Sequence, residues 1–290
     1  MRLVIVSGLS GSGKSIALAM LEDLDYYCVD NIPAGLLPGL VEYTVRSNQP
    51  DYELSAVGLD ARNRPEDLVD IPRLVDELRR SGIRCETVFL RAENEVLLKR
   101  FSETRRRHPL SRSGLGLQDA LEQEQRLLEP LANAADLTID TSRLSVHELR
   151  ELIRERVVER KGAVPSLLFE SFAYRHGVPD DADYVFDSRP LPNPYWEPSL
   201  RALTGRDQPV ADFLAAHEEV QRFLDDVTSF LERWLPSLAR SNRSYVTIAI
   251  GCTGGQHRSV YLAEKLAGHF EGRFGHALLR HRDLASRRHE

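Results

Sequence analysis

Short apolar runs alternate with stretches of helical periodicity through the first half of the chain, the pattern of a parallel sheet with helices on its faces. Leu3–Ser7, Tyr26–Val29, Leu54–Leu59, Arg84–Leu90 and Leu137–Ile139 read as strands. Between them the apolar spacing predicts helices over about Lys14–Leu24, Glu66–Ser81, Asn94–His108, Leu117–Ala134 and Ser145–Glu159. The last has Leu149, Leu152, Ile153 and Val157 on one face and runs into Arg160-Lys161-Gly162-Ala163-Val164-Pro165. A charged end followed by glycine and proline stops a helix. The domain boundary is therefore placed there, with residues 1–160 forming one domain and 163–290 a second.

The second half opens on a strand-like run, Leu167–Glu170, followed by a proline-rich loop, Arg189-Pro190-Leu191-Pro192-Asn193-Pro194-Tyr195-Trp196. A helix is expected over about His217–Leu238, with Val220, Phe223, Leu224, Val227, Phe230, Leu231 and Leu235 on one face. The most apolar strand of this half, Tyr245–Ile250, leads through a glycine-rich turn into a helix from about His257 to Phe270. No internal repeat or low-complexity segment is visible in the sequence.

Gly8-Leu9-Ser10-Gly11-Ser12-Gly13-Lys14-Ser15 satisfies G-x-x-x-x-G-K-[ST] between a strand and a helix. The glycines let the backbone curl so that successive N–H groups face phosphate oxygens, and the helix start adds partial positive charge. Lys14 would reach the β- and γ-phosphates, and Ser15 would offer its hydroxyl to Mg²⁺. Lysine is scarce here (Lys14, Lys99, Lys161 and Lys265), so its presence in this loop is not background. The expected ligand is ATP or GTP with Mg²⁺. The expected fold is α/β: an N-terminal P-loop NTPase-like parallel sheet with helices on both faces, plus a C-terminal α/β domain.

A P-loop needs an acidic partner near the metal. Asp60 closes the run Leu54–Leu59 and is favoured, with Asp30 after Tyr26–Val29 as its competitor; either could instead cap a turn. Arg100, Arg105, Arg106 and Arg107 form either a lid over the transferred phosphate or a solvated helical face.

Ile248-Ala249-Ile250-Gly251-Cys252-Thr253-Gly254-Gly255-Gln256-His257-Arg258-Ser259 again sets a glycine-bearing loop between strand and helix. Cys252 and Arg258 stand as C-x₅-R followed by Ser259, the arrangement of cysteine-dependent phosphatases, where a thiolate attacks phosphorus and the arginine grips its oxygens. Those enzymes usually carry histidine where Gly251 stands, so anion binding is expected rather than catalysis. A buried apolar role for Cys252 is the plainer alternative. Asp187, Arg189 and Asn193 in the preceding segment could hydrogen-bond a sugar-like ligand.

A hydrophobic content of 42%, charged residues at 28% and a net charge of −6 describe a globular chain without general affinity for nucleic acid. Cys28, Cys85 and Cys252 have no paired spacing, which argues against a disulfide framework or zinc site. The opening apolar run is too short for a signal peptide and no run of about 18 apolar residues follows, so a cytoplasmic protein outside the membrane is expected. The terminus reverses the overall charge: Arg273, Arg280, Arg282, Arg287 and Arg288 face a lone acid, Asp283. This is a candidate RNA footprint, or simply a solubilising end.

The P-loop, Tyr27-Cys28-Val29-Asp30-Asn31, Asp60-Ala61-Arg62-Asn63, Asp183-Tyr184-Val185-Phe186-Asp187, Leu191-Pro192-Asn193-Pro194 and Gly251–Ser259 together resemble the RapZ/YvcJ family of nucleotide-binding RNase adapter proteins. The resemblance spans essentially the whole chain. It implies slow hydrolysis of ATP and GTP, with ATP at the P-loop and GTP at Asp60–Asn63. It further implies a C-terminal domain that binds a regulatory small RNA, presents it to an RNase E-type endonuclease and senses glucosamine-6-phosphate at the Cys252–Ser259 loop, so tuning synthesis of that sugar. The basic tail is the family's RNA-binding region, and the resemblance suggests a homo-oligomer. Leu9 stands where relatives carry arginine, Tyr195 replaces a histidine, and the tail has arginines where relatives have lysines. A small-molecule kinase or a cysteine-dependent phosphatase is the alternative.

Overall fold

Every position of strand β1 (Arg2–Gly8) is buried, as expected of a strand with neighbours on both edges and helices over both faces. In the computed structural model, which describes residues 1–47, 49–104, 107–113, 115–158, 165–240, 245–274 and 277–284, β1 is the centre of a five-stranded parallel sheet. Its partners are β2 (Tyr27–Val29), β3 (Leu54–Gly58), β4 (Arg84–Arg91) and β5 (Leu137–Asp140), in the order β2-β3-β1-β4-β5. The crossovers are α1 (Lys14–Glu22), α2 (Leu37–Ser47), α3 (Pro65–Arg80), α4 (Asn94–Thr104), α5 (Leu117–Asn133) and α6 (Val146–Ile153). Leu3 and Ile5 join Leu68, Ile71, Leu97 and Leu128 in one core. Val4 and Val6 point to the opposite face, where α1 and α6 meet and Ala17, Leu21, Leu149 and Ile153 are buried.

Three local differences from the expected elements have identifiable causes. Helix α2 is hidden in the sequence by Pro33, Gly35, Pro38 and Gly39, yet Pro38 falls in its first turn, where a missing N–H costs nothing. Helix α4 is described over Asn94–Thr104, and His108, its expected last residue, lies outside a helix with its side chain buried. Helix α6 begins with a full capping box between Ser145 and Glu148, then widens into a π turn over Arg154–Val158.

The chain divides into two compact units, Met1–Glu159 and Arg160–Glu290. In the second, β6 (Ser166–Ala173), β7 (Tyr184–Asp187), β8 (Tyr245–Cys252) and β9 (Ala277–His281) form a parallel sheet ordered β7-β8-β6-β9. Helices α7 (Gln208–Ala215), α8 (Glu218–Arg240) and α9 (Arg258–Phe270) share a core with its strands, including Phe169, Ile248, Val220, Leu231, Leu266 and Phe270. The strand order of this unit, second-third-first-fourth, repeats that of the first four strands of the other unit. The two halves thus share a topology that the sequence does not display as a repeat. In both, the first and third strands are neighbours whose connections leave in opposite directions. That arrangement opens a crevice at their carboxyl ends.

Candidate functional site

The first crevice lies where Gly8 ends β1 and Lys14 starts α1. A Cβ at Gly8 would come within 2.3 Å of the Leu90 carbonyl oxygen, so only glycine lets the chain leave the sheet here. Gly13 has φ 106°, in the left-handed region, and a Cβ there would meet Leu149 at 2.6 Å. Helix α1 starts with no side-chain cap. Its first amides are therefore left to an outside acceptor. They face a cleft of about 680 Å³ whose lining includes the whole Gly8–Ser15 loop, Asp30, Asp60 and Arg62.

Both candidate aspartates converge on the lysine. Lys14 Nζ lies 2.5 Å from Asp30 Oδ1 and 3.1 Å from Asp60 Oδ2. Asp60 is buried and meets three donors of one residue: the Arg62 backbone N–H at 3.0 Å to Oδ1, Nε at 3.0 Å to Oδ1 and 3.1 Å to Oδ2, and Nη2 at 2.5 Å to Oδ2. Burial alone would push the Asp60 carboxyl up, but the bonds from Arg62 and the Lys14 charge outweigh it and hold the group below the usual range. Asn63 and Ala61 do not face the cleft: Asn63 ties the turn to the Ala34 N–H at 2.6 Å, and Ala61 is buried.

Mg²⁺ fits this donor set. It prefers a few protein oxygens together with phosphate oxygens and water, and the exposed Ser15 hydroxyl and the Asp60 carboxylate line one cleft. Among the described residues no cluster of three or more His, Cys, Asp or Glu side chains could hold a metal by itself. Arg100 lines the same cleft, and its guanidinium donates to the Gly11 carbonyl at 3.0 Å and the Thr141 carbonyl at 2.6 Å, which braces the loop. Arg107 lines the cleft as well; Arg105 and Arg106 lie outside the described residues.

Two residues here escaped the sequence reading. Glu124, with no exposed surface, accepts the Ser10 N–H at 2.8 Å, the Ser10 hydroxyl at 2.6 Å and His108 Nε2 at 3.1 Å. The Leu110 N–H donates to His108 Nδ1. The His108 proton therefore sits on Nε2. The available signal was a carboxylate on the apolar face of α5, among Ala120, Leu121, Leu128 and Leu131.

In the second unit the loop joins the end of β8 to α9, which likewise starts without a side-chain cap. Cys252 is buried, with Sγ 3.1 Å from the Ser259 hydroxyl and accepting the Gly255 N–H at 3.2 Å. Arg258 is buried too: Nη1 donates to the carbonyls of Arg189 at 2.7 Å and Leu191 at 2.9 Å, while its Nε has no partner. Burial lowers the Arg258 pKa. Asp187 pairs with Arg189, whose bonds hold its carboxyl below the usual range, and Arg189 stacks 3.9 Å over the Tyr174 ring. The remaining predicted residues split in role. Gln256 and His257 bond to the carbonyls of Leu203 and Leu200, and Asn193 caps the Tyr195 N–H, so these hold the surrounding segment. Thr253 is exposed and Gly254 half-buried at the loop's tip.

Gly251 is glycine for a steric reason: a Cβ would fall 2.4 Å from the Phe172 ring and 2.5 Å from the Tyr174 ring. A side chain there would have to displace both rings. Gly251→Ala is expected to destabilise the second unit by about 1–3 kcal/mol through overpacking. Both tryptophans, Trp196 and Trp234, lie in this unit, so a lower urea midpoint by tryptophan fluorescence checks it.

The basic terminus is not a loose tail through its first part. Residues Ala277–His281 form β9 against β6. Arg280 lies 3.1 Å from the fully buried Glu170, whose carboxyl is pushed up to about 7 chiefly by burial. Arg282 pairs with Asp283 and donates to the Gly177 carbonyl. Arg273 is exposed and pairs with Glu232; Arg287 and Arg288 lie outside the described residues. Of the five arginines read as an RNA footprint or a solubilising end, Arg280 and Arg282 are engaged in ion pairs beside the sheet edge.

A glycine-rich strand–loop–helix with lysine and two carboxylates in its cleft, followed by a second parallel unit with its own capless helix start, defines a two-unit α/β protein of P-loop type. Residues 1–161 match the RapZ-like N-terminal domain and residues 165–285 the RapZ C-terminal domain. The chain belongs to the RapZ family. A nucleotide-binding protein of Thioalkalivibrio sulfidiphilus is 53% identical over 286 residues, covering 98% of this chain and all of that protein. One of Alkalilimnicola ehrlichii is 54% identical over 283 residues, covering 98% of each. Among solved structures, shikimate kinase from Bacteroides thetaiotaomicron aligns with 53% of this chain and 97% of its own, at 15% identity and a TM-score of 0.35. Among the described residues no helix is long and apolar enough to cross a membrane.

Proposed function

We propose that this chain is a nucleotide-binding regulatory adapter that takes ATP or GTP with Mg²⁺ at Gly8–Ser15 and hydrolyses it slowly. The observation that carries the reading is Lys14, set between two carboxylates at the uncapped start of α1 inside a cleft of nucleotide size. The curated relatives' name, nucleotide-binding protein, agrees with it. Asp60 and Arg62 border the same cleft, which suits a role of the Asp60–Asn63 box in nucleotide choice.

In the second unit the Cys252–Ser259 loop, with Asp187, Arg189 and Asn193 beside it, holds a phosphorylated amino sugar. The buried, unpartnered Nε of Arg258 supports an anion there. Phosphatase chemistry is disfavoured by the crowding at position 251, where a histidine would have to displace the Phe172 and Tyr174 rings. Family membership extends the proposal to a regulatory small RNA bound through Arg273 and the far terminus, presented to an RNase E-type endonuclease by a cytoplasmic homo-oligomer. In that scheme occupancy of the sugar-phosphate loop modulates glucosamine-6-phosphate synthesis.

Calorimetry on the full chain tests both sites. Mg²⁺-ATP or Mg²⁺-GTP should bind, and glucosamine-6-phosphate should bind at least about tenfold more tightly than glucosamine, because charge-assisted bonds to phosphate are the strong ones. No heat with either nucleotide would end the first claim; equal affinity for the two sugars would end the second.

A further inference from the structure

Asp30 borders the cleft, and the function proposed above gives it no role beyond its ion pair with Lys14. We infer that Asp30 is the proton acceptor for the water that attacks the terminal phosphate, parked on Lys14 until nucleotide arrives; this rests on the nucleotide reading. Asp60 is poorly suited to the task, since both of its oxygens are held by Arg62. Asp30 is differently placed. Its side chain is 47% exposed, and its ion pair is with Lys14 through Oδ1.

Two backbone features put this carboxylate where it is. A Cβ at Gly58, in β3, would lie 2.4 Å from Asp30 Oδ1 and 3.3 Å from Lys14 Nζ, so a strand glycine keeps the space that Asp30 occupies. Directly after it, Asn31 adopts φ 56°, and the Ile32 N–H bonds the Gly58 carbonyl at 3.2 Å. A left-handed non-glycine residue is retained at some cost in backbone energy. Here it turns the chain back towards β3 directly after Asp30, where the Ile32 N–H is held.

When phosphate oxygens take Lys14, Asp60 keeps Arg62, but Asp30 loses its cation beside the reacting group. The water oxygen then bonds to the terminal phosphorus, and the bond from phosphorus to the bridging oxygen breaks, leaving its electron pair on the nucleoside diphosphate. One water proton passes to an Asp30 carboxylate oxygen and from there to solvent. No further reactant is needed.

The test is Asp30→Asn in the full chain, with Gly58→Ala as a second variant that displaces the carboxylate without removing it. Steady-state hydrolysis should fall at least about tenfold in both, as for loss of a positioned base. Calorimetric affinity of Asp30→Asn for a non-hydrolysable ATP analogue with Mg²⁺ should stay within about threefold or tighten, because Lys14 loses a competing carboxylate. Normal hydrolysis by Asp30→Asn overturns the inference, as does loss of analogue affinity in step with turnover, which would make Asp30 a support for Lys14 alone. Failure of the unmutated chain to bind nucleotide overturns the nucleotide reading itself and this inference with it.

Discussion

Lys14→Ala lowers the affinity for Mg²⁺-nucleotide at least about a hundredfold, the upper end of what the loss of one charged hydrogen bond accounts for. In the wild-type chain the ammonium group stands between two carboxylates, 2.5 Å from Asp30 and 3.1 Å from Asp60. Its removal deletes a phosphate ligand and at the same time exposes both carboxylates to the incoming anion. That repulsion adds to the loss. The fold should tolerate the change. Asp60 keeps its bonds to Arg62, and Asp30 is half in water, so neither becomes an unpaired buried charge. The expected result is an intact thermal transition with nucleotide heats below detection. Removing Asp30 as well, in Lys14→Ala/Asp30→Asn, should recover part of the affinity because it relieves the repulsion from the carboxylate that has lost its cation. A double variant no better than Lys14→Ala would show that this carboxylate does not contribute.

The sheet of the first unit was legible because each strand is a short apolar run bounded by turn residues, and each crossover helix but one has an apolar stripe. The exception, α2, carries its breakers in and before its first turn, where they are harmless. In the second unit β7 and β9 were missed for a different reason. They are edge strands, only partly buried, and their charged positions, Asp187 and Arg280, resemble loop and tail chemistry when read along the chain. The P-loop could be read from sequence because a backbone curl around phosphate constrains residue types at fixed spacing. The network behind it could not, because Ser10, Arg100, His108, Glu124 and Thr141 are brought together only by the sheet. Choosing between Asp30 and Asp60 also needed three dimensions. Each ends a strand, and only the positions of β2 and β3 in the sheet bring both to Lys14.

The largest stability effect expected in the first unit comes from Glu124→Ala, at about 3–5 kcal/mol. The carboxylate has no exposed surface and is the acceptor for the Ser10 N–H, the Ser10 hydroxyl and His108 Nε2. Alanine would leave a backbone donor and an imidazole donor buried without an acceptor, next to a void the size of a carboxyethyl arm. Glu124→Gln keeps an amide oxygen for Ser10 and should cost less. Glu124→Leu/His108→Phe removes the buried pair together and should recover part of the loss, though not all, since the Ser10 N–H stays unpaired. Urea unfolding followed by far-ultraviolet circular dichroism gives the order of the variants. Amide exchange read by mass spectrometry locates the effect, with lost protection expected in the Gly8–Ser15 loop and the segment around His108. The same variants connect stability to binding, because a loosened Ser10 must be reordered before the loop can enclose a phosphate. Glu124→Ala should therefore weaken nucleotide binding even though Glu124 itself is turned away from the cleft. Undiminished affinity in a destabilised Glu124→Ala protein would show that the loop holds its shape through its glycines alone.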